Sequence, residues 1–424
     1  MSMTTRVLLG LFLGAAIGLG LAIWAPETAG AAADFVKPIG RLWLNALQMT
    51  VVPLVAALVV LGVNTASDAA ASGRVARNAI VVFLVLLTLA SAFAAFVAPL
   101  FLSLLPHDAA SVAAFRTAMA PATATAEPTT LGASIAAIIP SNAIAAAAQS
   151  AMLPLVVFSM FFGFGLTRID AGRRARMLEL VQGLADVMIV IVHWVLWVAP
   201  LGVFALVLAV CAEVGLKTLG ALGGYILMQC SLYISVTLML YVVARVAGGE
   251  PFRRFALAIL PAQTIAASTQ SSLASLPAMI DSARERLGYP LHVTSLVLPM
   301  AVSLFRITSP IQYMGVAAFV AWLYGIEVPT MHLVAGIGLA VIISMGSVGL
   351  PGQVSFMFTN MPVTQAMGLP VEPLAVLMAV DTIPDVFATV GNVSGGLTAT
   401  SVVAGHAGEG EERPPAAADA ADTG

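Results

Sequence analysis

Six stretches of this chain, 7–24, 49–63, 79–102, 151–166, 188–210 and 222–243, are apolar almost without interruption. A helix needs roughly 20 apolar residues to cross the hydrocarbon of a bilayer, and each stretch approaches or exceeds that length. One such run fits the core of a large soluble domain; six in succession do not. Only 9% of the 424 residues are charged, against about 25% in soluble domains, so charged side chains cannot cover a water-facing surface. The sequence predicts an all-α polytopic membrane protein, with the lipid bilayer as a partner and no nucleic acid. Cys211 and Cys230 lie far from any metal-ligand spacing and read as small packing residues.

Charge placement predicts orientation. Arg6 precedes the first run, which is long enough to span rather than to serve as a cleaved leader. Arg74 and Arg77 follow the second run, Arg168, Arg173, Arg174 and Arg176 the fourth, and Arg245, Arg253 and Arg254 the sixth. Glu27, Asp34, Asp108, Glu127 and Glu213 fall on the intervening connections, where Arg116 and Lys217 are among the fewer basic residues. The positive-inside rule then puts both termini in the cytoplasm, across an inner or plasma membrane. Trp24, Trp43, Trp197 and Trp322 sit near span ends and read as interfacial anchors. The tail 406–424 is small, polar and Pro-containing, and is expected to be disordered.

From residue 251 the pattern changes. The apolar segment 258–280 is interrupted by Ser268–Thr269–Gln270–Ser271–Ser272 and Pro277, and 338–358 by Gly346, Ser347, Gly349, Pro351 and Gly352. Two short apolar arms around a small polar tip suit a re-entrant hairpin, which survives at membrane depth only inside protein or beside a wet cavity. Each hairpin is followed by an apolar helix with ionisable groups at its centre: Arg306 within 296–315, and Asp381, Asp385 and Asn392 within 374–403. Paired interrupted segments point to an inverted repeat with a binding site at the midplane. Asp381, Asp385, Thr389 and Asn392 follow helical spacing and share one stripe with Ala388. Pro384 frees the carbonyl of Val380 beside it. A single intramembrane Asn or Thr often only joins helices. Two carboxylates and an arginine, at roughly 2.5–3.5 kcal/mol each on insertion scales, mark an ion or substrate pathway.

These residues resemble the dicarboxylate/amino acid:cation symporters, the glutamate-transporter family. The likeness rests on five segments in the right order: 138–166, WVAPLGVFAL (197–206), STQSSLASLP (268–277), GSVGLPG (346–352) and VDTIPDVFATVGNVSGGLTA (380–399). The resemblance implies eight transmembrane helices, two re-entrant hairpins and an elevator-type homotrimer. Within 1–250, helices 1, 2, 4 and 5 would form the trimerisation scaffold, and helices 3 and 6 would join the transport core at 251–405. The hairpin beginning near residue 329 would be the outer gate. Ser271 and Ser272 match serines that hold a substrate carboxylate, Ser309 a threonine beside the substrate, and Leu350, Pro351 and Gly352 the second hairpin's gate. Asp385 matches an aspartate that binds a substrate amino group, Thr389 and Asn392 match polar substrate contacts, and Asp381 a carboxylate near the sodium sites.

The departures matter as much. The family's asparagine–methionine–aspartate signature reads Phe305–Arg306–Ile307, its side-chain-reading arginine aligns with Ala388, and a sodium-binding aspartate aligns with Gly396. Two roles are open to Arg306. It is a tethered cation that neutralises Asp385 or Asp381 in place of sodium, or it pairs with a substrate carboxylate through its planar fork. No cofactor is expected, and coupling to protons, or none, is favoured over sodium, with Asp381 and Asp385 as the coupling groups. The alternatives are the usual sodium-coupled symporter and an intramembrane aspartyl enzyme using Asp381 and Asp385. The four-residue spacing argues against the enzyme, because a shared-proton dyad brings two carboxylates together. Uncoupled ion conduction is a third reading, from the polar hairpin tips. Imidazole can carry protons in general, but His193 and His332 fall on no motif that carries chemistry and read as packing or interfacial residues.

Overall fold

A computed structural model describes residues 3–71, 73–105, 138–215, 217–346 and 352–407, and every regular element among them is helical. Seven helical stretches among these residues are long and apolar enough to cross a bilayer, with shorter apolar helices between them. The protein is an all-helical membrane protein.

The first half begins with α1 (Met3–Trp24) and α2 (Pro26–Ala71). The second apolar run is part of a single helix of 46 residues. Pro38 and Pro53 each remove one rung of its ladder without ending it. Its polar first half is held because Lys37 bridges Asp34 and Glu213. Helix α3 (Arg74–Leu102) follows. Then come the short α4 (Ala143–Ala148), capped by Asn142, and α5 (Met152–Leu166). The fifth apolar run is divided between α6 (Ala171–Trp197) and α7 (Ala199–Val214), because Pro200 opens a new helix after Val198. Helix α8 (Lys217–Val246) closes this half.

Glycines decide how the first helices meet. A Cβ on Gly10, Gly14 or Gly18 would lie 2.4, 2.6 and 2.6 Å from the carbonyl oxygens of Pro200, Phe204 and Leu208. One glycine per turn of α1 thus lets it lie backbone to backbone on α7, the close approach that drives helix association in lipid. Trp43 corrects the expectation of an interfacial anchor. It is 5% exposed, its indole N–H donates to the Val195 carbonyl at 3.1 Å, and its ring fills the space beside Gly202. Trp24 and Trp197 are exposed. A polar tie joins α2, α5 and α6: Asn64 Nδ2 donates to the Gly163 carbonyl, Arg174 Nε to Asn64 Oδ1, and Arg174 Nη2 to Asp68.

The second half contains two pairs of consecutive helices, α9 (Phe252–Thr269) with α10 (Ser272–Asp281), joined by a turn, and α13 (Thr330–Gly346) with α14 (Gly352–Ala366). Each is followed by a helix in two pieces: α11 (Leu291–Leu304) with α12 (Thr308–Tyr324), and α15 (Leu374–Val380) with α16 (Thr382–Ala407). Helix α16 is the centre of this half. Of its apolar stretch, 83% is buried, against 18% for α1, and it packs on α8, α9 and α11. Helices α13 and α14 pack on α2, and α14 on α5 as well, whereas α9 and α10 pack on α11 and α16.

The α1–α7 seam gives a direct check. Gly14→Leu is expected to destabilise the protein by at least about 2 kcal/mol, because the new side chain meets backbone that cannot yield. Gly30→Ala meets nothing within 4 Å and should leave the melting temperature in detergent unchanged or higher.

Candidate functional site

Three breaks in helix geometry converge: the Gln270–Ser271 turn, the Phe305–Ile307 gap and the break at Asp381. Each has a local cause. Gln270 takes a left-handed conformation with φ 51° and ends α9. Pro310 sits in the first turn of α12, where a missing N–H costs nothing. Pro384 cannot donate to the Val380 carbonyl, and α15 ends at Val380.

The broken start of α12 is bound to the middle of α16. The Thr308 N–H at the start of α12 donates to Asn392 Oδ1 at 3.0 Å, and its hydroxyl to the Ala388 carbonyl at 3.2 Å. This approach requires Gly391, where a Cβ would lie 2.6 Å from Thr308 Cγ2. One of the two Asn392 amide groups is thereby committed to holding the backbone. Thr389 is similarly engaged, its hydroxyl donating to the Asp385 carbonyl at 2.8 Å.

The two carboxylates of the predicted stripe occupy different surroundings. Asp381 is 7% exposed; the Tyr225 hydroxyl donates to its Oδ1 at 3.2 Å and Gln312 Nε2 to its Oδ2 at 2.8 Å. Asp385 is half-buried, its carboxylate receives no hydrogen bond among the described residues, and the exposed Ile383 and Phe387 flank it. Arg306 is half-buried at the α11–α12 gap and acts electrostatically on both carboxylates. No hydrogen bond or ion pair among the described residues commits it to either.

Of the other predicted residues, Ser271 caps α10, its Oγ accepting from the Ala274 N–H at 3.2 Å. Ser272 is the first residue of α10 and is half-buried. Ser309 is 7% exposed in the first turn of α12. Leu350 and Pro351 lie outside the described residues, and Gly352 opens α14. His193 bonds the carbonyl of its own helix at Ile189, and His332 lies at the start of α13, away from these breaks. Sequence reasoning missed Tyr225 and Gln312. The four-residue repeat of Tyr225, Gln229 and Tyr233 along an otherwise apolar run was the available signal.

Apolar packing surrounds Phe305, Ile307 and Gly396, the positions at which the sequence departs from the resemblance. Phe305 and Ile307 are each 1% exposed, and Phe305 stacks on Phe83 of α3 at 4.6 Å. A Cβ on Gly396 would lie 2.8 Å from Met279 Cε and 3.4 Å from Ala301 Cβ, and one on Gly395 would lie 2.7 Å from Ile307 Cγ2.

The profile of the sodium:dicarboxylate symporter family matches residues 3–406. The chain belongs to that family. It is 29% identical over 409 residues to the proton/glutamate-aspartate symporter of Escherichia coli K12, covering 95% of this chain and 92% of the relative. It is 28% identical over 408 residues to the proton/sodium-glutamate symport protein of Bacillus subtilis 168, covering 95% and 92%. It is also 28% identical over 414 residues to the C4-dicarboxylate transport protein 2 of Ralstonia nicotianae GMI1000, covering 94% and 89%. A member of a symporter family is a transport protein, and the intramembrane-enzyme alternative falls.

The tie between the broken helices is testable in this symporter-family chain. Asn392→Leu leaves the buried Thr308 N–H without an acceptor, a loss of about 1–3 kcal/mol. The expected readout is a lower melting temperature in detergent without added substrate.

Proposed function

We propose that the protein is a secondary active transporter of small carboxylates, acidic amino acids or C4-dicarboxylates, that works without sodium. The relatives' names support the substrate class. The observation that supports the coupling is the apolar packing at Phe305, at Ile307 and beside Gly396, with Arg306 within electrostatic reach of both carboxylates. Hard cations take several oxygen ligands, and the aligned positions offer packed hydrocarbon. The guanidinium supplies a positive charge that a bound ion would otherwise bring. Because it is committed to neither carboxylate, it remains available to a substrate carboxylate as well.

The substrate is held, on this reading, between the α10 N-terminus with Ser271 and Ser272, the α12 N-terminus with Ser309, and Asp385, Thr389 and Asn392 on α16. Leu350 and Gly352 contribute from the second hairpin. Asp381 and Asp385 are the groups through which a proton couples. Eight spans and two hairpins form an elevator, assembled as a homotrimer in the inner membrane with both termini cytoplasmic. Helices α1, α2 and α5–α7 are the scaffold; α3 and α8–α16 move. The glycine contact between α2 and α13 supports a sliding seam, since a Cβ on Gly62 would lie 2.6 Å from Gly346 Cα. The second hairpin lies against α2 and α5 while the first hairpin's tip is exposed. In the proposed orientation that is the inward-facing arrangement.

Thermal unfolding with candidate substrates in sodium and in choline tests the reading, because a ligand that binds the native state raises its stability by mass action. Aspartate, glutamate, succinate or fumarate is expected to stabilise equally in both salts. Arg306→Met should abolish that stabilisation; stabilisation by substrate only in sodium contradicts the proposal. Gly396→Asp is expected to lower stability without creating sodium dependence, because it sets a carboxylate against the apolar Met279 and Ala301.

A further inference from the structure

More polar atoms lie behind Asp381 than a structural contact needs. Tyr225, Gln229 and Tyr233 form one stripe of α8, and all three are 0% exposed. The Gln229 side chain and the Tyr233 hydroxyl lie side by side within reach of a hydrogen bond to each other, and Tyr233 is within electrostatic reach of Asp381. Gln229 leans over Gly315 of α12, where a Cβ would lie 2.5 Å from its Oε1. On the other side of Asp381, Gln312 Oε1 faces Asn360 Nδ2 of α14 at 3.5 Å. Asn360 is 0% exposed, its Nδ2 also donates to the Phe356 carbonyl, and its Oδ1 has no donor among the described residues. A buried carboxamide with an orphaned oxygen is high-stakes chemistry, because it has a second orientation to offer.

Charge gives the reason for a second orientation. Asp381 and Asp385 carry two negative charges and Arg306 one positive. The apolar stretches of α8, α12, α14 and α16 around them hold no other charge. The groups facing Asp381 are Arg306 and Gln312 from the α11–α12 segment, Tyr225, Cys230 and Tyr233 from α8, and Asp385 from α16. Asn360 of α14 reaches it through Gln312. One added proton balances the set. A metal ion fits poorly, because Asp381 is met by an O–H and an N–H. Among the described residues no group of three or more His, Cys, Asp or Glu side chains could hold one.

Resting on the reading of a sodium-free carrier, we propose that Asp381 is its proton-binding site and that Gln312 and Asn360 form an amide pair that reverses when the proton arrives. With Asp381 ionised, Tyr225 and Gln312 each donate to one of its oxygens. When a proton adds to Oδ2, the Gln312 contact becomes donor against donor. Turning the carboxamide presents its Oε1 to the new O–H and its Nε2 to Asn360. Rotation of Asn360 then brings its Oδ1, orphaned in the first arrangement, to that N–H. The second arrangement is transmitted to α14, the arm of the second hairpin that lies against α2 and α5. Gln312, Tyr225 and Asn360 are positioning residues; the proton resides on Asp381.

The test is substrate transport by the full chain in liposomes. Asp381→Asn is expected to retain exchange of labelled for unlabelled substrate while losing accumulation driven by a pH gradient. Gln312→Met and Tyr225→Phe should retain accumulation. Each should move the pH of half-maximal uptake toward alkaline by about one unit, the tenfold change that losing one hydrogen bond to an ionised group brings. Accumulation by Asp381→Asn with the wild-type pH dependence overturns the proposal. Infrared difference spectra of the protein in detergent between acid and alkaline buffer give an answer independent of transport. A protonated-carboxyl band should vanish in Asp381→Asn and shift in Gln312→Met; a band untouched by Asp381→Asn overturns the assignment, as does sodium-dependent stabilisation that Asp381→Asn removes. Failure of the wild type to transport any carboxylate would sink the transport reading instead, and the infrared result would still decide where the proton sits.

Discussion

A charge in hydrocarbon must be balanced by protein, and this fold is organised around three such charges. Asp381, Asp385 and Arg306 come from two helices, and each lies at or within one turn of a helix break. Breaking a helix in a bilayer exposes backbone groups that water cannot reach. Here the Asn392 side chain accepts from the Thr308 N–H and the Thr308 hydroxyl donates to the Ala388 carbonyl, so the broken start of α12 is held by the middle of α16. The polar site and the broken helices therefore depend on each other. The breaks bring the charges within electrostatic reach, and the polar side chains of α16 make the breaks tolerable.

Around that centre, space is regulated by the smallest residues. Glycines on α1 let it lie on the carbonyls of α7; Gly391 admits Thr308; Gly396 leaves room for the Met279 methyl. The last is the informative case. There the Met279 methyl occupies the space beside Gly396, and Phe305 stacks on Phe83. A guanidinium carried by the chain cannot be released with the substrate. In the proposed carrier the movable charge lies elsewhere, on a carboxylate that binds and loses a proton.

Much of this was legible in the sequence. Apolar run length gave the all-helical membrane class. Paired interrupted segments gave the two helix pairs, each followed by a broken helix. The interrupted tip at Gln270 is a turn, whereas the segment 374–403, read as one helix, is broken after Val380, whose carbonyl Pro384 leaves without its donor. Element boundaries were less legible where proline misleads: Pro38 and Pro53 lie inside a single long helix, whereas Pro200 begins a new one. Helix packing decides between those outcomes. Trp43 looked like an interfacial anchor because its depth is invisible without Gly202 opposite it. The stripe from Asp381 to Asn392 was correctly spaced, yet the break at Asp381 gives its two carboxylates different surroundings. Those surroundings come from α8 and α12, up to 156 residues away in sequence. Local periodicity carries no information about such partners.

The most direct measurement is initial-rate uptake of radiolabelled aspartate and succinate into liposomes containing the purified protein. It is made with an inward sodium gradient and again with choline replacing sodium on both sides, at fixed pH. Arg306 as a built-in cation predicts equal rates for the transported substrate in the two conditions. Uptake that requires sodium would contradict it, and would mean that oxygen atoms outside the Phe305–Ile307 and Gly396 positions bind the ion.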